Sequence, residues 1–156
     1  MKFAPLLVSA ALMAGAAQAQ GVVTAANPQT VIDQLQSLGY KASYEPYESG
    51  RPNVISAAAG VNYAISFYGC LEDMTDCRTL MFTAGLDMPD GSSMETINNW
   101  NQTRVYTHAF LDPAGDPYFR MAVIRGQDMS AEEFRRILEI WEDAMVDFTD
   151  EVGFER

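Results

Sequence analysis

The chain has 156 residues, with 10 Lys and Arg against 21 Asp and Glu and a formal net charge of -11. Such an acidic surface repels phosphate backbones and anionic lipids, so nucleic acid is not an expected partner. One histidine and two cysteines are too few for a standard zinc site, and no G-x-S-x-G, Walker A or G-x-G-x-x-G stretch occurs, so neither a metal nor a cofactor is expected.

Met1-Lys2 is a minimal positive start, residues 3–15 are apolar, and Ala17-Gln18-Ala19 fits an A-x-A cleavage site. This is the pattern of a secretory signal peptide cut before Gln20. The apolar run is shorter than the ~20 residues a membrane span needs, and no later run reaches that length, so no stable membrane insertion is expected after cleavage. The expected location is therefore the periplasm, with an extracellular protein as the alternative. The expected plan is a signal peptide over 1–19, a flexible leader over 20–26, one domain over 27–152 and a frayed C-terminus over 153–156.

Asn27-Pro28 predicts a helix start, with Val31, Leu35 and Leu38 at helical spacing and Gly39 as the stop. Strands are predicted over 40–47, broken at Pro46, and over 53–59, with Gly60 in the turn that follows. Residues 62–70 predict a stronger strand with Tyr63, Ile65 and Phe67 on one face. Residues 78–86 are its hairpin partner, with Leu80, Phe82 and Ala84 on one face. Cys70 and Cys77 stand where these strands enter their loop. Export and spacing favour a structural disulfide; a redox pair is the other reading, although the motif is not C-x-x-C. Glu72, Asp73 and Asp76 in the same loop lack the spacing of an EF-hand and read as a solvated acidic loop.

Ser92 with Glu95 predicts a capping box opening a second helix, with Ile97 and Trp100 toward the core and Met94 near it. Strands over 104–111 and 118–125 flank a hairpin loop, Asp112-Pro113-Ala114-Gly115-Asp116-Pro117. Ser130 with Glu133 predicts a second capping box and a long amphipathic helix. Its apolar stripe is Phe134, Ile137, Leu138, Trp141, Met145 and Phe148; Glu132, Glu139, Glu142, Asp143 and Asp147 lie on the other face. Short links between neighbouring strands predict an antiparallel sheet, and the whole reads as α+β, order α-β-β-β-(β)-α-β-β-α, with helices packed on one face.

Chemistry is sparse. His108 sits mid-strand beside Tyr106 and Phe110 without a nucleophile motif. The helix carboxylates read as a solvated face, since a catalytic acid needs a desolvated setting. Asn98, Asn99 and Asn101 around Trp100 are the oddest local composition, because asparagine competes for backbone hydrogen bonds in a helix. One reading is a helix end whose asparagines bond the next strand; the other is a polar surface that recognises a partner. Tyr44, Tyr47, Tyr63, Tyr68, Tyr106 and Tyr118 could line a groove, or serve as half-buried sheet residues.

Three stretches together resemble a known family. They are Leu38-Gly39-Tyr40 closing the first helix, Ile97-Asn98-Asn99-Trp100-Asn101 after a strand pair, and the Leu111-Asp112 hairpin leading to Met129-Ser130-Ala131-Glu132-Glu133 and the final helix. They resemble the YbjN-like family of bacterial sensory-transduction regulators, over roughly residues 28–148. The resemblance implies a fold similar to type III secretion chaperones, often dimeric and binding other proteins, with no catalytic residues to carry over. The export signal and cysteine pair depart from the cytoplasmic type of member.

The expectation is an exported, non-enzymatic protein-binding, adaptor or sensory-regulatory module of the bacterial envelope, with another protein or a second copy of itself as partner. A small-ligand sensor with an aromatic pocket between sheet and helices is the alternative. A hydrolase using acidic residues ranks third.

Overall fold

The computed structural model describes residues 21–124 and 128–155. The expected signal peptide and Arg125, last residue of a predicted strand, lie outside the described residues. In chain order the elements are β1 (Val22–Val23), α1 (Pro28–Ser37), β2 (Ala42–Tyr44), β3 (Asn53–Ala58), β4 (Val61–Tyr68), β5 (Thr79–Gly85), α2 (Met94–Thr103), β6 (His108–Leu111), β7 (Pro117–Ile124), β8 (Met129–Ser130) and α3 (Ala131–Val152).

Strand alternation decides the layers. Tyr63, Ile65 and Phe67 of β4, Leu80, Phe82 and Ala84 of β5, and Phe119 and Met121 of β7 are buried, while the residues between them form the opposite face. All pairings in the six-stranded sheet, order β2-β3-β4-β5-β7-β6, are antiparallel. The buried sides of all three helices join the inward sheet residues in one core. The fold is α+β, as expected from the short links.

That core is largely aromatic. Trp141 of α3 stacks on Phe119 at 4.6 Å and meets the Tyr63 ring edge-on at 5.7 Å; Phe148 meets Trp100 edge-on at 4.9 Å. Burying each such ring contributes about 2–3 kcal/mol from apolar area alone. The i, i+3 and i+4 spacing of Phe134, Leu138, Trp141, Met145 and Phe148 is what lets one helix cover the sheet. Ser130 and Glu133 form the expected capping box: the Ser130 Oγ accepts from the Glu133 N–H, and the Glu133 carboxylate accepts from the Ser130 N–H.

Five local expectations are corrected. The described part of the expected flexible leader, residues 21–26, is docked: Val22–Val23 pairs antiparallel with Met129–Ser130, and Val23 and Ala25 are buried. An apolar pair next to the core gains more from burial than it loses in chain freedom. The C-terminal end is closed rather than frayed. Gly153, at φ 72°, donates to the Asp150 carbonyl and Phe154 to that of Thr149, a Schellman closure that leaves Phe154 packed on the core. The same closure ends α1, through Gly39 to Gln36 and Tyr40 to Leu35.

Helix α2 is capped by Ser93, not Ser92. The Ser92 N–H is engaged with the Gly115 carbonyl, so the helix starts one residue later, with Ser93 accepting from the Thr96 N–H. Met94 is consequently turned outward, 68% exposed. Finally, the strand predicted over 104–111 is only β6, His108–Leu111. The Arg104 N–H returns to the Trp100 carbonyl, and residues 104–107 bridge from the helix to the sheet edge.

Candidate functional site

Cys70 and Cys77 close the β4–β5 loop. Their sulfurs lie 2.03 Å apart, a disulfide distance. The loop between them holds Met74 and Asp76 at φ 63° and 48°, left-handed conformations that side-chain-bearing residues rarely adopt unless constrained. The Asp73 carboxylate accepts from the Thr75 N–H and hydroxyl, which lowers its pKa. Among the described residues no group of three His, Cys, Asp or Glu is placed to hold a metal ion.

The asparagine-rich helix end separates into different roles. Trp100 is buried in the core, with the Arg104 guanidinium 4.6 Å from its ring centroid. Asn101 reaches the outer side of edge strand β6. Its Oδ1 accepts from the Ala109 N–H at 2.7 Å and its Nδ2 donates to the Ala109 carbonyl at 3.0 Å. A side-chain amide thus takes the place a further strand's peptide group would occupy, blunting an edge that would otherwise pair with another chain. Asn98 and Asn99 are exposed. Of the two readings of this stretch, bonding of the next strand is what Asn101 does.

The tyrosines do not gather between sheet and helices, because Trp141, Phe119 and Phe82 fill that space; only Tyr63 is there. Its hydroxyl is buried near Ser56, its cross-strand partner, and burial pushes its pKa up to about 12. Tyr44 and Tyr106 are exposed, and Tyr106 joins Arg104, Ile140 and Asp147 at a shallow dent against α3. Tyr47, Tyr68 and Tyr118 line the sheet face that none of the described helices covers. His108 is exposed at the start of β6, opposite Arg120 in register.

That uncovered face is the most organised surface of the molecule. At one end the loop after β2 folds back over the sheet. The Tyr47 hydroxyl lies 2.9 Å from the Ser66 Oγ, which donates to the Asn53 Oδ1 at 3.0 Å, so both polar residues are buried and satisfied. The Arg51 guanidinium sits between two rings, 4.9 Å from the Tyr47 centroid and 4.7 Å from that of Tyr68. At the other end Phe110 stacks on its cross-strand partner Tyr118 at 5.4 Å, and the Arg120 guanidinium lies 4.4 Å from the Phe110 centroid. The Tyr118 ring lies flat over Gly85: a Cβ there would sit 2.2 Å from a ring carbon. Between the two ends runs an open groove of about 320 Å³, floored by Ala64, Ser66, Thr83 and Gly85.

Arg51, Arg120 and Gly85 were not singled out in the sequence. The signal available was Tyr118-x-Arg120, an aromatic and a cation on one face of a strand. Its meaning depends on Phe110 and Gly85 lying alongside, which only the strand register supplies.

No described helix is long and apolar enough to cross a membrane. No curated protein matches the chain. Residues 27–154 match the model of the family YbjN, described as "Putative bacterial sensory transduction regulator". A match over most of the length makes the chain a member of the YbjN family.

Proposed function

We propose that this chain is a non-enzymatic protein-binding module, exported to the bacterial envelope, where it works as an adaptor or sensory regulator. The observation that carries the reading is the uncovered sheet face. Its aromatic and arginine side chains are held in place by stacking and by the Tyr47–Ser66–Asn53 hydrogen bonds, yet they form no part of the core. Preorganised aromatic and arginine residues are the anchors that protein interfaces favour. Export is supported by the signal-peptide pattern of residues 1–19 and by a cysteine pair at a distance that suits an oxidising compartment.

The test is crosslinking in the native envelope. A photoreactive side chain is placed at Thr83 on the sheet face, at Asn98 on the asparagine helix and at Glu139 on the outer side of α3. A discrete adduct with another protein, or with a second copy, from Thr83 and not from Glu139 is the expected result. A protein that remains monomeric and gives no adduct from any position would sink the reading.

A further inference from the structure

We propose that the uncovered sheet face takes an extended, acidic segment of a partner protein, with carboxylates seated on Arg51 and Arg120. The inference rests on the protein-binding reading and names the chemistry of the partner. The chain carries 21 acidic residues against 10 Lys and Arg, so a cation chosen at random should have a carboxylate beside it. Three arginines near or on α3 follow that expectation: Arg104 pairs with Asp147 at 2.6 Å, Arg135 with Glu132 at 2.7 Å and Arg136 with Glu132 at 3.2 Å. Four described cations lack an ion pair: Lys41 and Arg78, which are exposed, and Arg51 and Arg120, which are half-buried and whose buried Nε atoms have no hydrogen-bond partner among the described residues. Among the described residues Arg120 is the only charged one lining the central groove, and Arg51 the only one lining the neighbouring hollow beside Tyr68 and Leu71. A face cleared of acid, in a chain that is otherwise acidic, is complementary to carboxylates and to nothing cationic.

The rings add a second element. Tyr47 and Tyr68 hold one guanidinium and Phe110 lies against the other, so each is oriented before a ligand arrives and less rotamer freedom is lost on binding. The spacing points to an extended segment. Tyr68, beneath Arg51, lies four residues along β4 from Ala64, which aligns with Arg120 across β5. Strand rise and spacing put the two cation sites roughly 16 Å apart, about five residues of extended chain. The small floor residues let that chain approach the sheet between them.

The experiment selects from a displayed library of random decapeptides on the mature protein, and in parallel on Arg51→Gln, Arg120→Gln and Gly85→Ala. The glycine variant drives the Tyr118 ring off the floor while leaving both arginines. Near-UV circular dichroism checks that each variant is folded. Expected is enrichment of peptides with Asp or Glu four to five residues apart. A synthetic peptide from the top of the selection should lose about tenfold in affinity with either arginine variant, weaken with Gly85→Ala, and weaken as salt rises. Enrichment of neutral or basic peptides, or acidic peptides that bind the arginine variants unchanged, would overturn the acidic-segment inference while leaving the protein-binding reading in place. No enrichment on the wild-type protein would count against both.

Discussion

Asn101 offers the sharpest test of how this chain's asparagine stretch works. Replacing it by alanine removes two hydrogen bonds, from the Ala109 N–H at 2.7 Å and to the Ala109 carbonyl at 3.0 Å. Ala109 is buried, so its backbone groups are poorly placed to recover water. A net of about 1 kcal/mol per bond gives an expected loss of about 2 kcal/mol. For a domain of this size that is a fall of about 6 °C in Tm and a lower urea midpoint at unchanged m. Asn101→Asp should be no better. It keeps an acceptor for the N–H but turns a carboxylate oxygen toward the Ala109 carbonyl. Amide exchange gives a local readout, since the Ala109 N–H should lose protection while β4 and β5 amides keep theirs. Asn98→Ala and Asn99→Ala are the controls. Both side chains are exposed, and each change should stay within about 0.5 kcal/mol. A neutral Asn101→Ala, or equal losses at all three positions, would refute the assignment of the edge-capping role to Asn101.

Other perturbations follow from particular geometries. Ala59 occupies the two-residue β3–β4 turn at φ 49° ahead of Gly60 at φ 79°, so Ala59→Asn should gain about 0.5–1 kcal/mol in urea unfolding, and a loss would show that the turn is not strained. The purified protein should show no free thiol until reduced. Cys70→Ser with Cys77→Ser should lose about 2–3 kcal/mol by release of the loop's chain entropy, which matched unfolding curves with and without the pair would measure. Tyr63 is held near pKa 12 by burial, so above pH 10 the unfolded chain gives up a proton the folded one keeps. Stability should therefore be intact below pH 10 and fall by up to about 3 kcal/mol as pH rises toward 12. Tyr63→Phe should flatten that fall, and an unchanged alkaline limb would exclude Tyr63 as its source. At the acid end the Arg135 guanidinium holds the Glu132 carboxyl at about 2, so this pairing on α3 should persist until pH approaches 2, as carboxyl titration by NMR would show.

Helices and central strands were legible because their information is local. A period near 3.6 in Phe134, Leu138, Trp141, Met145 and Phe148, and a period of two in Tyr63, Ile65 and Phe67, identify both the element and its buried side without knowledge of neighbours. Asn27-Pro28, Gly39 and the Ser130–Glu133 pair likewise act within one turn of their own helix. The cysteine pair was legible for the same reason, being close in sequence.

What depended on tertiary structure is whatever needed a partner distant in the chain. The leader looked mobile because its strand-mate, Met129–Ser130, lies more than a hundred residues away. The helix start moved from Ser92 to Ser93 because Gly115, in another loop, takes the Ser92 N–H. Asn101 could be placed at a helix end from sequence, but not on Ala109, since that contact requires β6 to be the sheet edge. Above all, the candidate recognition face is a property of register. Phe110 meets Tyr118 and Tyr118 covers Gly85 only when β6, β7 and β5 align as they do. Arg120 meets no carboxylate among the described residues that line its groove, which depends on which strands lie beside β7. Sequence periodicity says which way a side chain points; the alignment of strands far apart in the chain decides what it points at.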